Sequence, residues 1–257
     1  MDIFASDLDN TLIYSYKREI GTDKILAERY EGREVSFMTA YAHEMLDKVS
    51  QHMLFVPVTT RSVEQYQRIW FSQTWTPKLV LTTNGGVLLV NGKSDPAWYA
   101  QSKQIAEPAE CAMRQAEAIL EDDPNRALDV RRVDGLFVYT KSTDVTQTME
   151  RLRQGIDLSE VELLDNGVKI YVLPRALNKG EAVRRLRARL GEHNHVFAAG
   201  DSLFDLSLLA AADTAFCPES LAYIATQGQQ VVQVTPEQGV FSDVILRTIM
   251  RRITQKE

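Results

Sequence analysis

The sequence predicts an α/β fold, with a doubly wound core around a parallel sheet and an inserted α+β module. Short apolar strands alternate with amphipathic helices in the first and last thirds of the chain, which is typical of a parallel sheet covered by helices. In between, paired strands with Asn-Gly and Asp-Gly turns replace this alternation. The 257 residues are enough for such a core and a second module.

The predicted core comprises residues 1–85 and 175–257. Its clearest helix covers residues 178–191, because Asn178 can act as its N-cap, Glu181 completes a capping box and Gly191 ends it. Apolar runs and helical spacing define the other elements. In chain order they are a strand at 3–5, a helix at 36–52, strands at 53–58 and 78–83 around a helix at 62–71, then strands at 196–200, 214–218 and 230–234 alternating with helices at 205–212, 220–227 and 241–253.

The inserted module is predicted at residues 86–174. Its pattern is a short hairpin followed by an α-β-β-α-β-β order, which favours an antiparallel sheet with two helices on one face. The predicted elements are the hairpin at 86–94, a helical segment at 102–122 with a start after Pro108 as an alternative, two strands within 128–141, a helix at 142–154 and a hairpin at 161–174.

Composition excludes several classes of protein. The net charge of −6 and pI near 5.4 argue against general binding to nucleic acid or anionic membranes. No signal peptide is recognisable, and no apolar run approaches the ~20 residues of a membrane helix. Cys111 and Cys217 lack CxxC spacing, and the histidines lack HExxH spacing, so no zinc site is predicted. We expect a cytoplasmic protein.

Two carboxylates, Asp7 and Asp9, stand two positions apart where the first strand ends. Like charges this close repel unless a cation lies between them or one carboxyl is protonated. A calcium loop starting at Asp7 is excluded, because its sixth and twelfth positions are Leu12 and Arg18. By itself the Asp-x-Asp-x-Thr pattern is equally compatible with a polar turn and a functional site.

Three more polar segments occur at strand or helix ends in the core. Thr59, Thr60 and Arg61 could bind an anion, although a helix N-cap at Thr60 or Ser62 is the simpler interpretation. Lys179 starts the helix at 178–191, where a cation is mildly unfavourable unless it reaches an anion. A solvated surface lysine is the ordinary alternative.

The last segment follows the strand at 196–200. Gly200, Asp201, Ser202 and Asp205 form a Gly-Asp-Ser-x-x-Asp pattern. Asp201 as a helix N-cap and Asp205 as a first-turn acid would explain it without any function. Open α/β sheets, however, bind ligands outside the carboxyl ends of their strands, where most of these segments are predicted to lie.

The order of the four segments resembles the four motifs of the haloacid dehalogenase superfamily of phosphoryl-transfer enzymes. The resemblance covers the whole chain and implies a Rossmann-like core with a cap module inserted between the second and third motifs, as in the Cof-like branch. The "TTNGG" stretch at 82–86 is similar to the Asn-Gly that precedes this cap. Two positions depart from the branch, since Thr60 and Asn10 stand where glycine is usual.

The resemblance implies a role for each motif residue. Asp7 would be the nucleophile that forms an aspartyl-phosphate, and Asp9 the general acid and then the general base. Mg²⁺ would be held by the Asp7 carboxylate, the Asp9 carbonyl and Asp201. The supporting residues are Thr59 and Lys179 for the phosphoryl oxygens, Thr60, Arg61 and Asn84 for the substrate, and Ser202 and Asp205 for orienting the metal ligands.

These roles predict a Mg²⁺-dependent phosphatase for a small-molecule phosphate ester, such as a sugar or polyol phosphate. A phosphotransferase or phosphomutase would use the same intermediate, and a non-catalytic ligand-binding protein could keep the same fold. The sequence makes no prediction about oligomeric state.

Overall fold

The computed structural model of the protein describes residues 1–72, 75–191 and 193–255. The chain forms two compact units, residues 1–93 with 179–257 and residues 94–178. The predicted fold class is confirmed, because a parallel sheet and separate antiparallel sheets are both present. Among the described residues, no helix has the length and apolar character needed to cross a bilayer.

Elements of the first unit come from both ends of the chain. The N-terminal part contains β1 (Ile3–Ser6), β2 (Tyr14–Ser15), β3 (Lys24–Tyr30), β4 (Arg33–Thr39), α1 (Ala40–His52), β5 (Leu54–Pro57), α2 (Val63–Tyr66), β6 (Leu79–Thr82) and β7 (Val87–Val90), and the division between the units falls within β8 (Lys93–Ser94). The second unit contains α3 (Pro96–Ala106), α4 (Glu110–Glu121), β9 (Arg131–Val133), β10 (Phe137–Lys141), α5 (Val145–Gly155), β11 (Val161–Asn166) and β12 (Lys169–Pro174). The C-terminal part returns to the first unit with α6 (Lys179–Leu190), β13 (Val196–Ala199), α7 (Leu206–Ala210), β14 (Thr214–Pro218), β15 (Gln230–Val234) and α8 (Phe241–Thr254).

A five-stranded parallel sheet forms the centre of the first unit, in the order β15-β14-β13-β1-β5. Ile3 pairs with Val196 on one side and with Leu54 on the other. Every residue of β1 and β13 is buried, as expected for parallel strands covered on both faces. The carboxyl ends of these strands therefore lie together at one edge of the sheet.

An antiparallel sheet in the order β2-β4-β3 precedes α1 and was not predicted. The predicted helix at 36–52 is wrong in its first four residues, because residues 36–39 belong to β4. The hydroxyl of Thr39 accepts a hydrogen bond from the backbone N–H of Ala42 and so starts α1 at Ala40.

The predicted start of the insertion also differs from the structure. The hairpin at 86–94 was assigned to the inserted module, but β7 pairs with β6 and both lie in the first unit. Asn91 and Gly92 form the predicted turn after β7, with φ values of 49° and 78°. The compact units thus divide at residues 93–94 and 178–179, instead of at 86 and 174.

The second unit contains an antiparallel sheet in the order β11-β12-β10-β9. A turn at Asp134-Gly135, with φ values of 45° and 69°, connects β9 to β10. The predicted helix at 102–122 is two helices, because a 3₁₀ turn at Glu107–Ala109 separates α3 from α4. The core of this unit contains Met113, Ala116, Leu120, Val138, Met149, Leu152, Ile170 and Val172.

Two predicted helices of the first unit are short or missing. The helix at 62–71 is only the single turn α2, since Ile69 instead forms a β-bridge with Glu28. The helix at 220–227 is replaced by a 3₁₀ turn at Glu219–Leu221. The Gln229 side chain hydrogen-bonds to Tyr223, to the backbone N–H of Thr226 and to two carbonyls of the α7 region, which holds this segment as a loop.

Candidate active site

The four polar segments meet at the carboxyl edge of the parallel sheet. The backbone N–H of Asp7 donates to the Ala199 carbonyl at the end of β13, and that of Val58 donates to the Ser6 carbonyl at the end of β1. These bonds extend the parallel pairing one residue past each strand. Asp7, Thr59 and Asp201 consequently follow three neighbouring strands, in the position where α/β sheets bind ligands.

Lys179 is the buried cation of the site. Its Nζ lies 2.6 Å from Asp7 Oδ1 and 2.6 Å from Asp205 Oδ1, and its side chain is 1% exposed. Burial alone would lower the pKa of Lys179, but the charges of Asp205 and Asp7 and their hydrogen bonds raise it above its usual value. Lys179 is therefore a permanently charged bridge between two motifs, and the alternative of a solvated surface lysine is wrong.

Glycine at position 180 lets α6 approach the adjacent helix closely enough to bury Lys179. A Cβ atom at Gly180 would stand 2.0 Å from the carbonyl oxygen of Ser207. The backbone N–H of Gly180 also donates to Ser207 Oγ over 3.2 Å. The start of α6 is consequently fixed against α7, which carries Lys179 to the sheet edge.

Asp205 uses both carboxylate oxygens inside the protein. Oδ1 accepts from Lys179, and Oδ2 accepts from the backbone N–H groups of Asp201 and Ser202 and from the Ser202 hydroxyl at 2.9–3.1 Å. A Cβ atom at Gly200 would lie 2.3 Å from the Asp205 Cβ, so only glycine permits this approach. These bonds orient the turn that carries Asp201; the role of Asp205 in ordering metal ligands stays a prediction.

Asp201 and Asp7 approach each other through Thr11. The Thr11 hydroxyl lies 3.5 Å from Asp7 Oδ2 and 3.4 Å from Asp201 Oδ1, and Thr11 is fully buried. Carboxylate oxygens of Asp7, Asp201 and Asp205 all lie within 4.8 Å of one another. The sequence prediction quoted Thr11 only as part of a motif and gave it no role; its spacing from Asp7 was the available signal.

The electrostatics of this cluster fit a divalent cation. Burial raises the pKa of Asp7 well above its usual value, although the Lys179 charge opposes the rise. Burial and the neighbouring Asp205 raise the pKa of Asp201 to about 7. Three carboxylates face one ammonium, so the fully ionised cluster carries a net charge of −2. Closely spaced carboxylate oxygens with this excess charge suit a hard cation such as Mg²⁺.

The loop after β5 is joined to the loop after β6 through their backbones. The N–H of Asn84 donates to the Thr59 carbonyl over 2.9 Å, and that of Thr83 donates to the Arg61 carbonyl over 2.7 Å. Thr83 and Asn84 have φ values of 55° and 57°, which are uncommon for residues other than glycine and especially for a β-branched one. These bonds hold the buried Asn84 beside the second motif.

Within the second motif, the three predicted residues have different environments. Thr59 is fully buried, and its hydroxyl accepts from the Arg61 N–H over 3.1 Å, which leaves the hydroxyl proton for another acceptor. Thr60 is partly exposed. Ser62, not Thr60, is the N-cap of α2 and forms a capping box with Gln65. The N-cap interpretation is therefore right for Ser62 and does not account for Thr59.

Arg61 binds two carboxylates. Its Nε and Nη2 donate to the two oxygens of Asp9 at 2.8 and 2.7 Å, and its Nη1 donates to Glu28 Oε2 at 2.9 Å. Burial alone would lower the pKa of Arg61, but its bonds to Asp9 and Glu28 raise it above its usual value. Asp9 keeps half of its side chain exposed. The sequence prediction missed Glu28 because it missed the antiparallel sheet that carries it.

Comparison with known proteins identifies the family of this arrangement. The model of the sucrose-6F-phosphate phosphohydrolase family matches residues 1–217. A phosphoglycolate phosphatase of Sulfurisphaera tokodaii is 24% identical over 208 residues, which are 79% of this chain and 76% of that protein.

Solved structures share the fold over nearly their full length. The sucrose-phosphatase of Synechocystis sp. PCC6803, in complex with sucrose and phosphate, superposes with a TM-score of 0.65 at 15% identity, covering 97% of both chains. A trehalose-6-phosphate phosphatase related protein gives 0.57 at 16% identity, with full coverage of both. A haloacid dehalogenase-like hydrolase protein of Bacillus subtilis gives 0.54 at 15% identity, covering 98% of this chain and 92% of its own.

The predicted superfamily and enzyme class are thus confirmed by a family model that extends over well more than half of the chain. Structures at these identities establish the fold, and the family match adds the class of enzyme. This chain belongs to the sucrose-6F-phosphate phosphohydrolase family, whose members are haloacid dehalogenase-type phosphatases.

Proposed function

We propose that this protein is a Mg²⁺-dependent phosphatase that hydrolyses a small sugar phosphate through an aspartyl-phosphate on Asp7. One observation carries the proposal: the buried ammonium of Lys179 lies 2.6 Å from both Asp7 and Asp205, beside Asp201. A lysine buried among three acids serves no packing purpose that an apolar residue would not serve better. The arrangement instead suits an anionic reaction centre.

Asp7 is the nucleophile in this proposal. Its carboxylate attacks phosphorus while the bond from phosphorus to the leaving oxygen breaks. Lys179 opposes the rise in the pKa of Asp7 that burial causes, and its hydrogen bond holds the carboxylate in place. An ammonium has three N–H donors, of which Asp7 and Asp205 take two, so the third can be donated to a phosphoryl oxygen. The Thr59 hydroxyl supplies a second donor to the phosphoryl group.

Asp9 handles the protons. In the first step it gives a proton to the leaving oxygen, and in the second it takes a proton from the water that attacks the aspartyl-phosphate. That attack breaks the bond between phosphorus and Asp7 and releases inorganic phosphate. Asp9 suits exchange with solvent and substrate because half of its side chain is exposed, whereas Asp7 is buried.

The metal site is proposed from the same residues. Asp7 and Asp201 would hold Mg²⁺ through carboxylate oxygens, with the Asp9 carbonyl as a further ligand and with Asp205 and Ser202 orienting Asp201. When bound, the ion would supply positive charge to the phosphoryl oxygens. Removing one such stabilising contact commonly costs ~10²–10³ in rate.

A panel of phosphate esters tests the function. The family and the similar proteins suggest sucrose 6-phosphate, trehalose 6-phosphate and phosphoglycolate as alkyl esters, with p-nitrophenyl phosphate as an aryl ester. We expect steady phosphate release with Mg²⁺, none with EDTA, and none from Asp7→Asn. No release from any ester, or undiminished release from Asp7→Asn, would refute the proposal. Transfer of phosphate to an added sugar, without free phosphate, would indicate a phosphotransferase.

A further inference from the structure

Glu28 lies at the centre of a second charged cluster, next to the site of proton transfer. It belongs to β3, and only 4% of its side chain is exposed. Oε2 accepts from Arg61 Nη1 at 2.9 Å and from the Ser36 hydroxyl at 3.1 Å, and Oε1 lies 3.1 Å from Arg68 Nε in an ion pair. A buried carboxylate with two arginine partners is expensive to build and is strongly constrained by them.

The antiparallel sheet is attached to the segment that carries both arginines. Trp70 donates its backbone N–H to the Ala27 carbonyl over 2.8 Å, and Ile69 forms a β-bridge with Glu28. The Arg68 guanidinium lies 4.4 Å from the centre of the Tyr30 ring. Glu28 is therefore held by its backbone and its carboxylate together, so it offers Arg61 a fixed acceptor.

The planar guanidinium of Arg61 transmits this fixed position to Asp9. Nη1 is bonded to Glu28, while Nε and Nη2 make the two bonds to Asp9 at 2.8 and 2.7 Å. Because the five donors of a guanidinium have a rigid geometry, fixing one nitrogen restricts the direction of the others. A displaced Glu28 would let Arg61 turn and release its two-point hold on Asp9.

We propose that Glu28 is a positioning residue, which acts through Arg61 to hold the Asp9 carboxyl where it exchanges protons with the leaving oxygen and with water. This inference rests on the proposed function. When the bond between phosphorus and oxygen breaks, the Asp9 O–H bond breaks and a new O–H bond forms on the leaving group. The carboxylate left on Asp9 is then offset by Arg61, whose own position depends on Glu28.

The loss of rate caused by a misplaced Asp9 should depend on the leaving group of the ester. An alkoxide must be protonated as it leaves, whereas p-nitrophenolate is stable without the proton. A misplaced Asp9 should therefore slow alkyl esters much more than the aryl ester. The measurement is kcat/KM for p-nitrophenyl phosphate and for the fastest of the three alkyl esters above, since this constant reports the steps up to the first bond cleavage.

We expect Glu28→Gln, which keeps the size and one acceptor but removes the charge, to lower kcat/KM for the alkyl ester about 10–100-fold. General acid catalysis contributes about 10²–10⁴-fold where the leaving group needs a proton. Because p-nitrophenolate does not need one, kcat/KM for p-nitrophenyl phosphate should fall by no more than about 3-fold. Asp9→Asn should lower the ratio of kcat/KM for the alkyl ester to kcat/KM for the aryl ester by more than Glu28→Gln does. Adding Glu28→Gln to Asp9→Asn should then leave the ratio unchanged.

Arg68→Gln is the matched control, because it removes a cation from Oε1 of the same carboxylate but keeps the Ser36 and Arg61 bonds to Oε2 and the backbone bridge between Glu28 and Ile69. We expect it to lower the thermal midpoint without changing the ratio between the two esters. If Glu28→Gln does not fold, Arg61→Lys replaces it, since lysine keeps the charge but loses the two-point hold.

An unchanged ratio in a folded Glu28→Gln or Arg61→Lys protein would overturn the inference. The inference would also be overturned if Arg68→Gln changed the ratio as much as Glu28→Gln does, or if adding Glu28→Gln to Asp9→Asn changed the ratio further. These results leave the proposed function intact as long as the wild-type chain releases phosphate and Asp7→Asn does not. A wild-type chain that hydrolyses none of the four esters overturns both.

Discussion

Asp201 and Asp205 are four residues apart, yet the structure predicts opposite effects for the same change to asparagine. Asp205 accepts from Lys179 through one oxygen and from three donors near Ser202 through the other. An asparagine has one acceptor oxygen, so either the Lys179 ammonium or the three donors would face an NH₂ group. Asp201, by contrast, adds negative charge to a crowded cluster, and within the described parts of the chain its carboxylate accepts only a long bond from Thr11.

The expected loss of stability in Asp205→Asn is about 3–5 kcal/mol, the usual cost of removing one partner of a buried ion pair. For a chain of this size, 1 kcal/mol lowers the melting temperature by about 2–4 °C, so we expect a fall of about 6–20 °C. Without metal at pH 8, Asp201→Asn should instead match or exceed the wild-type stability, because it relieves repulsion between carboxylates.

Thermal and urea unfolding in EDTA, followed by titration with Mg²⁺, test both expectations. The wild type should gain about 2.7 kcal/mol at a Mg²⁺ concentration of 100 times Kd, and Asp201→Asn should lose most of that gain. If Asp205→Asn is as stable as the wild type in EDTA, the bonding assigned to Asp205 is wrong. If Asp201→Asn is destabilised equally, Asp201 is a structural residue and the metal assignment loses its support.

Three further predictions concern other properties. In EDTA, raising the pH from 5 to 8 should lower the melting temperature of the wild type more than that of Asp201→Asn. The folded pKa of Asp201 is raised to about 7. The stability that this raised pKa contributes is complete below the unfolded pKa and is lost as the pH rises through 7. In urea unfolding, Gly180→Ala should lower the free energy of unfolding by about 1–3 kcal/mol or more, because its Cβ would lie 2.0 Å from the Ser207 carbonyl oxygen. Gly92→Ala is the control. It has open space around the new Cβ and a φ of 78°, so it should cost only the backbone strain of about 1 kcal/mol. The native protein should react with one equivalent of a thiol reagent, at the exposed Cys111, and with a second only after denaturation, because Cys217 is buried and burial raises its thiol pKa.

The parallel core could be predicted from the sequence because its signals are local. Strands such as β1 and β13 are continuous apolar runs, and the helix near Lys179 has its own start and stop residues. Three of the four motif segments follow strands of the parallel core, so predicting these strands also placed their polar residues at one edge. No long-range information was needed beyond the parallel order of the strands.

The antiparallel sheet could not be predicted in the same way. β3 and β4 contain charged residues at both faces, and their pairing is shifted by an irregularity around Glu28. Helical spacing of Phe37 with Tyr41 then continued the predicted helix back into β4. Nothing in the sequence distinguishes Glu28 from a solvated acid, and its burial depends on long-range contacts to Arg61 and Arg68.

Two different surroundings support the division of labour proposed for Asp7 and Asp9. Asp7 shares one lysine with two other carboxylates, so its fully ionised cluster has a net charge of −2, which suits the proposed divalent ion. Asp9 belongs to a group of two carboxylates and two arginines, whose net charge is zero. Arginines thus balance the charge of Asp9, whereas the cluster of Asp7 has an excess negative charge that the proposed metal cation would balance. In the proposed mechanism, two acids separated by one leucine act as nucleophile and proton carrier because different parts of the fold balance their charges.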